Sequence, residues 1–126
     1  MIAFLHYRDN KVDYAVIECG LGGRNDATNI LERVSCAAIA SIGKDHEETI
    51  GPELSDIAYE KAGIIKAGLK NCVIGPTCEP FAIFQQTCDA HGCNLSIVEG
   101  TEQSFYKINK KIAKKVISNV LEVDGH

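Results

Sequence analysis

Residues 12–29, with the sequence VDYAVIECGLGGRNDATN, contribute most to the fold prediction. The apolar run over 12–17 predicts a buried β-strand, and a glycine-rich turn begins where this run stops. Glu18 then lies near the carboxyl end of the predicted strand. Because ligands of open α/β sheets bind in the crevice beyond the carboxyl ends of the strands, Glu18 is a candidate residue of a metal or phosphate site.

The remainder of the chain alternates short apolar runs with helical patterns. We predict strands over 36–42, 71–75 and 94–98, helices over 53–66, 79–91 and 105–121, and the end of a further helix over 2–8. Strands that alternate with helices form parallel βαβ units. The 126 residues, of which 45% are hydrophobic, suffice for one core. The predicted class is therefore α/β, with a mostly parallel sheet flanked by helices, as one globular unit or a piece of one.

The composition argues against several kinds of partner. The formal net charge is −4, which gives no electrostatic reason to expect a nucleic acid or a membrane as partner. Five lysines between residues 107 and 115 are interpreted as the solvated face of the last helix. The six cysteines form no C-x-x-C pair, which favours reduced, buried thiols, and no signal peptide or membrane span is evident. The expected compartment is the cytoplasm.

The glycine-rich turn does not match a dinucleotide-binding fingerprint. The spacing Gly20-x-Gly22 would require a glycine at position 25, where Asn25 stands. The sequence also contains no G-x-x-x-x-G-K-[ST] phosphate loop. The glycines alone are explained equally well by a turn that requires positive φ. Glu18 favours a binding site over a purely structural turn, because a carboxylate with little hydration needs a cation or a hydrogen-bond donor.

His46 and Lys61 are further candidates for chemistry. His46 follows the predicted strand 36–42 and would share a sheet edge with Glu18 if the strands are parallel, although a surface or structural role is the alternative. Lys61 lies at the centre of an apolar helical stripe formed by Leu54, Ile57, Ala58 and Ile65. Its ammonium group either reaches the surface or pairs with a buried acid. Alternatively, burial leaves a neutral amine that can react with carbon dioxide to give a carbamate.

Three ordered motifs carry a family resemblance. They are ECGLGGRNDATN over 18–29, SIGKDH over 41–46 and EKAGIIK over 60–66. Together they resemble the folylpolyglutamate synthase and dihydrofolate synthase family of the Mur ligase group. The resemblance runs from about residue 2 to residue 76, and beyond that only the order of strands and helices matches. It implies that residues 1–126 are part of a P-loop NTPase-like central domain, whose P-loop segment and C-terminal ligase domain lie outside this sequence.

The resemblance also implies roles for particular residues. Glu18 and His46 match magnesium ligands, and Lys61 matches a lysine that is carbamylated. A carbamate offers anionic oxygens to Mg²⁺, whereas an ammonium group would repel the ion. The matches to the positions that contact the pteridine end of the substrate are Asn25, Asp26 and Ala27.

The implied reaction is an ATP-dependent ligation. ATP phosphorylates a carboxylate of folate or dihydropteroate, and the amino group of L-glutamate attacks the acyl phosphate. Mg²⁺ and ATP are the implied cofactors, the full-length enzyme is expected to be a monomer, and a mitochondrial location is possible in a eukaryote. We expect this chain by itself neither to hydrolyse ATP nor to ligate glutamate, because the phosphate loop is not among its residues.

Two departures from the family pattern and two alternatives remain. Lys44 stands where the family usually has an apolar residue, and Asn25 stands where it often has leucine. Another Mur-type amide ligase is one alternative, although the GLGGRxDATN string favours folate. The other is a non-catalytic module that binds folate or a partner chain without turnover.

Overall fold

The computed structural model of the chain describes residues 2–43, 51–101, 104–123 and 125. Its elements in chain order are α1 (Ile2–Asp9), a short 3-10 helix (Ala27–Ile30), β1 (Cys36–Ile39), α2 (Leu54–Ala62), β2 (Asn71–Ile74), α3 (Phe81–His91), β3 (Asn94–Ile97) and α4 (Phe105–Val123). The predicted helices and the predicted strands from residue 36 onward are confirmed, with shorter β1 and α2. No helix among these described residues is both long and apolar enough to cross a membrane.

The three strands form a parallel sheet in the order β1-β2-β3. In the middle of the sheet Ala38 pairs with Val73, and Val73 pairs with Ser96. A right-handed crossover is the usual connection between parallel strands, and helices supply the crossovers here. The predicted α/β class with a parallel sheet is therefore confirmed.

Side chains of β2 alternate between two apolar layers. Cys72 and Ile74 lie in the larger core with residues of α2 and α3, such as Ala58 and Phe84. Val73 points to the opposite face, where Ile112 of α4 packs against it. The period of two along a strand produces this division, so that the central strand β2 is buried on both faces over Cys72, Val73 and Ile74.

Thiols fill much of the larger core. Cys72, Cys78 and Cys88 have no exposed surface, and Cys93 is also buried. All six cysteines of the chain are free thiols, as the sequence predicts. α3 ends at Gly92, whose φ of 65° is left-handed, and this turn lets the amide of Cys93 donate to the carbonyl of Cys88 at 2.9 Å.

The prediction of a buried strand over 12–17 is wrong. This segment has no regular secondary structure, and Val16 is 97% exposed. Val12 and Tyr14 also lie at the surface. An apolar run becomes a buried strand only where a neighbouring strand accepts its backbone hydrogen bonds, and no strand in the described part of the chain pairs with residues 12–18.

Candidate functional site

Asp26 organises the loop that follows Glu18. Its Oδ2 accepts hydrogen bonds from the backbone amides of Gly20 at 2.9 Å and Leu21 at 3.0 Å. Its Oδ1 accepts from the amide of Thr28 at 2.8 Å and from the Thr28 hydroxyl, so that Asp26 caps the 3-10 helix. The Thr28 hydroxyl, followed by the backbone donors, lowers the pKa of Asp26 from 3.8 to about 2.

Asp26→Ala is expected to lower the free energy of unfolding at pH 6 by about 1 kcal/mol, the usual cost of losing a helix cap. The pKa of Asp26 is depressed in the folded chain, so this stabilisation is present above the unfolded pKa of 3.8 and is lost as the pH falls towards about 2. Urea unfolding of the wild type and the variant between pH 6 and pH 2.5 measures the difference.

The control for this prediction is Asp13→Ala, which removes an exposed carboxylate of the same stretch of chain. This control should change the free energy of unfolding little at either pH. A loss for Asp26→Ala that is equal at both pH values would contradict the assigned role of the charged carboxylate.

Arg24 attaches this loop to the end of α2. Its backbone amide donates to the carbonyl of Glu60 at 2.8 Å, and its guanidinium donates to the carbonyl of Tyr59 at 3.2 Å. The guanidinium carbon also lies 4.0 Å from the centre of the Tyr59 ring. The carboxylate of Glu60 is 4.0 Å from Nε of Arg24 and accepts from the Asn25 amide at 3.4 Å.

Asn29 and Lys66 join the same two segments a few residues further along. The Asn29 side-chain amide donates to the carbonyls of Arg24 at 2.9 Å and Gly63 at 3.1 Å. Lys66 Nζ donates to the carbonyls of Asn29 at 2.8 Å and Leu31 at 2.6 Å. We call the contact between residues 23–31 and residues 59–66 the loop–helix joint.

Two glycines permit the close approach in this joint. A Cβ on Gly63 would lie 2.3 Å from Cβ of Arg24, and a Cβ on Gly23 would lie 3.0 Å from the carbonyl oxygen of Glu60. Among the glycines of the turn, Gly22 has the positive φ, of 63°, that the turn alone requires. Gly22 is therefore required by the backbone conformation of the turn, whereas Gly23 and Gly63 are required by the close contact between the loop and the end of α2.

Lys61 is half-buried at this joint. Ile57, Ala58 and Ile65 of the predicted apolar stripe are buried, whereas Leu54 is 39% exposed, so the prediction is wrong for Leu54. Leu54 is the first residue of α2, at the end of the helix, whereas the buried residues Ile57 and Ala58 lie further along it. Burial raises the pKa of Cys78 to about 11, although the Gly75 amide and the positive charge of Lys61 act in the opposite direction. Lys61 thus lies near the segment that follows β2.

The other predicted site residues are distributed as follows. Glu18 is exposed in the irregular segment before the loop, Asn25 and Ala27 are exposed on the loop, and Asp26 is half-buried. His46, with Asp45, lies outside the described residues. No three His, Cys, Asp or Glu side chains of the described ranges are grouped to hold a metal ion. The structure therefore brings the first and third motifs together and leaves the convergence of Glu18, His46 and Lys61 as a prediction.

Sequence reasoning missed the joint residues Arg24, Asn29 and Lys66. The predicted helix extends to Lys66, but α2 ends at Ala62, and Lys66 Nζ donates to carbonyls of the loop. The signal that pointed to these contacts was the placement of glycines within both motifs, at positions 23 and 63.

Solved structures establish the class of fold. The apo form of L. casei FPGS superposes with a TM-score of 0.85 over 96% of this chain and 37% of that chain, at 22% sequence identity. The folylpolyglutamate synthase of Mycobacterium tuberculosis, complexed with ADP and AMPPCP, is 34% identical with a TM-score of 0.68, covering 76% of this chain and 22% of that one. The chain thus has the α/β fold found in part of these synthases.

Curated relatives point to the same family. Folylpolyglutamate synthase from Arabidopsis thaliana is 37% identical over 102 residues, covering 81% of this chain and 16% of the relative. Dihydrofolate synthetase from Saccharomyces cerevisiae is 42% identical over 101 residues, covering 77% of this chain and 24% of the relative. No protein-family model matches the chain. The resemblance predicted from the three motifs is confirmed: the chain corresponds to a segment of folylpolyglutamate and dihydrofolate synthases, and it spans about a sixth to a quarter of these relatives.

Proposed function

We propose that this chain forms part of the central domain of an ATP-dependent folate:L-glutamate ligase, with folylpolyglutamate synthase activity, dihydrofolate synthase activity or both. ATP transfers its terminal phosphoryl group to a substrate carboxylate and leaves as ADP. The amino group of L-glutamate then attacks the acyl phosphate, forms the amide and releases phosphate. The loop–helix joint carries this proposal, because the 2.8 Å hydrogen bond from Arg24 to Glu60 connects two of the three family motifs.

The proposed substrate contact is the exposed surface of the loop at Asn25 and Ala27. The side chain of Asn25 already lies 3.4 Å from the carboxylate of Glu60 and can donate and accept hydrogen bonds at the edge of a pteridine ring. The four acceptor positions of Asp26 are used by its own loop, so Asp26 contributes mainly by positioning its two neighbours.

The proposed magnesium ligands are Glu18, His46 and carbamylated Lys61. These residues fit Mg²⁺ only if Lys61 carries the carbamate, because Mg²⁺ prefers oxygen ligands and the described residues supply no ready cluster of carboxylates. In the carbamylation step, Nζ of Lys61 gives up one proton, its lone pair attacks the carbon of CO₂, the N–C bond forms as one C–O π bond opens, and a second proton leaves the nitrogen. Bound Mg²⁺ would offset the negative charge of the phosphates.

The sequence contains no G-x-x-x-x-G-K-[ST] loop, and the ATP phosphates in this proposal are held by residues other than these 126. We therefore expect this chain by itself to release no phosphate from ATP and to ligate no glutamate. We propose a cytoplasmic or mitochondrial location, since matched relatives include a mitochondrial folylpolyglutamate synthase from Bos taurus. We also propose that the full ligase acts as a monomer, without nucleic acid or membrane as partner.

Incubation of the chain with ¹³C-labelled bicarbonate and Mg²⁺ tests this proposal. A carbamate resonance is expected in the wild type, because the joint holds Lys61 half-buried near the loop. Lys61→Arg should abolish the resonance, and Lys70→Arg, at an exposed lysine, should retain it. Absence of the resonance in the wild type at saturating bicarbonate would contradict the role of Lys61.

A separate experiment measures dihydropteroate binding to the chain through the fluorescence of the pteridine. The chain contains no tryptophan, so this signal has little protein background. Asn25→Ala should weaken binding about tenfold, which corresponds to about 1.4 kcal/mol, whereas Asn94→Ala, on β3, should not. Equal binding by both variants would place the pteridine site away from the loop.

A further inference from the structure

Two cysteines meet where α3 ends. The amide of Cys93 donates to the carbonyl of Cys88 at 2.9 Å, and the amide of Gly92 donates to the carbonyl of Asp89 at 3.3 Å. Because Gly92 has a left-handed φ, these two hydrogen bonds form a Schellman motif. The first and last side chains of such a motif commonly pack against each other, and here both are thiols. We call Cys88 and Cys93 the thiol pair.

The backbone of the motif holds the thiol pair within the range of a disulfide. Bond lengths limit the two α-carbons on either side of this 2.9 Å hydrogen bond to a separation of at most about 6.8 Å. Disulfides join residues whose α-carbons are about 4.4–6.8 Å apart. Both side chains of the pair also belong to the same buried core, so they extend into the same apolar layer. A bond between the two sulfurs therefore needs no rearrangement of the backbone.

A third sulfur, that of Cys72 on β2, lies beside the thiol pair. Hydrogen bonds from the thiols of Cys72 and Cys93 lower the pKa of Cys88, whereas burial raises the pKa of Cys93. Cys88 therefore carries the negative charge when the pair loses a proton. Within the described ranges these cysteines are not grouped to hold a metal ion, so the chemistry open to them is that of sulfur itself.

The two members of the thiol pair differ in their access to solvent. Cys93 is 6% exposed, whereas Cys88 has no exposed surface. A small oxidant can therefore reach the sulfur of Cys93, and the sulfur of Cys88 stays protected behind it. Exposure and thiolate character thus fall on different members of the pair, which suits a reaction in two steps.

We propose that Cys88 and Cys93 form an oxidation site at which a hydroperoxide, such as hydrogen peroxide, converts the two thiols into a disulfide. In the first step Cys93 loses its proton, and its sulfur attacks one peroxide oxygen. The S–O bond forms, the O–O bond breaks, and the departing hydroxide takes up the proton to leave as water. Cys93 is then a sulfenic acid.

The second step joins the two sulfurs. The thiolate of Cys88 attacks the sulfur of Cys93, the S–S bond forms and the S–O bond breaks. The hydroxide that leaves takes up the proton released by Cys88 and becomes the second water. Two thiols are thereby oxidised and one molecule of hydrogen peroxide is reduced. This modification is independent of the proposed ligase activity.

The disulfide would fix the end of α3 to the beginning of β3. β3 is an edge strand of the sheet and begins at Asn94, directly after Cys93. Opening of the turn at Gly92 is then restricted by a covalent bond in addition to the two hydrogen bonds. The amide of Cys93 should therefore exchange its hydrogen at least about tenfold more slowly in the oxidised chain, and dithiothreitol should restore the original rate.

Peptide mapping after treatment of the dilute, folded chain with hydrogen peroxide tests the proposal. Cleavage after Phe84 and before Asp89 leaves Cys88 and Cys93 on separate peptides that contain no other cysteine. We expect these two peptides to be joined by a crosslink that dithiothreitol removes. The wild type alone gives this result, so the test does not depend on the folding of a variant.

Two variants refine the test, and far-UV circular dichroism verifies that each is folded. Cys93→Ala should abolish the crosslink at Cys88. Cys78→Ala is the matched control, because Cys78 is also fully buried but its thiol donates to the carbonyl of Ile39 at 3.3 Å. This control should retain the crosslink between Cys88 and Cys93.

Three outcomes would overturn the proposal. The first is a thiol pair that stays unlinked under treatment that oxidises the half-buried Cys19. The second is a crosslink from Cys72 to Cys88, which would assign the oxidation to a different pair. The third is an equally frequent crosslink from Cys72 to Cys78, which would show that nearness in sequence, and not the Schellman motif, selects the partners.

Discussion

Gly75→Ala is expected to lower the free energy of unfolding by at least about 3 kcal/mol, at the upper end of the cost of overpacking a core. A Cβ on Gly75 would lie 2.0 Å from the carbonyl oxygen of Ala40 and 3.2 Å from Cδ1 of Ile112. The amide of Gly75 also donates to the carbonyl of Ile39 at 2.9 Å, so the added methyl would push the carboxyl ends of β1 and β2 apart.

Urea unfolding followed by far-UV circular dichroism measures this loss. Gly43→Ala is the matched control, because a Cβ on Gly43 would meet no atom of the described residues within 4 Å. The control should unfold within about 0.5 kcal/mol of the wild type, as surface substitutions usually do. A Gly75→Ala chain with the urea midpoint of the wild type would show that the two strands are not held at this distance.

Gly63→Ala is expected to separate the loop from α2, at a cost of about 2 kcal/mol. The new Cβ would lie 2.3 Å from Cβ and 2.6 Å from Cα of Arg24, and the backbone of the loop would have to move. Movement of Arg24 breaks the hydrogen bond from its amide to the carbonyl of Glu60. The carbonyl of Gly63 would also lose the amide of Asn29 as its donor.

Amide hydrogen exchange locates this effect. The amide of Arg24 should exchange about 30-fold faster in Gly63→Ala, the factor that corresponds to about 2 kcal/mol of lost local stability. The amide of Val73, in the central strand, should respond much less. Gly20→Ala serves as the control within the loop, since among the described residues its Cβ would meet only Oδ2 of Asp26, at an ordinary 3.5 Å. Unchanged exchange at Arg24 would refute the close approach at Gly63.

The spacing of apolar residues and the signals at helix ends were enough to predict most of the helices and strands. The helices from residue 54 onward and all three strands follow from apolar periodicity and from end signals such as Gly92. The segment 12–17 was misassigned because strand formation depends on a pairing partner, which no pattern within the segment can reveal.

The candidate site was predictable as a set of motifs but not as a geometry. The family resemblance selected Glu18, His46, Lys61 and the loop, and it contained no information on how these segments touch. Arg24 contacts Tyr59 and Glu60 across more than thirty intervening residues, and such a contact depends on packing of the whole domain. The hydrogen bonds of Asp26 are local, yet they were missed because its carboxylate was considered only as a ligand for substrate.

The loop–helix joint also indicates where substitutions can accumulate without harm. Most of its acceptors are main-chain carbonyls, those of Arg24, Asn29, Leu31, Tyr59, Glu60 and Gly63. A carbonyl is present whatever side chain its residue carries, so positions such as Leu31 and Tyr59 can vary while the acceptor persists. The side chains that donate to these carbonyls are those of Arg24, Asn29 and Lys66, and their identity has no backbone substitute. Among related sequences, we therefore expect substitutions at the positions that supply only a carbonyl acceptor and few substitutions at the positions that supply a side-chain donor.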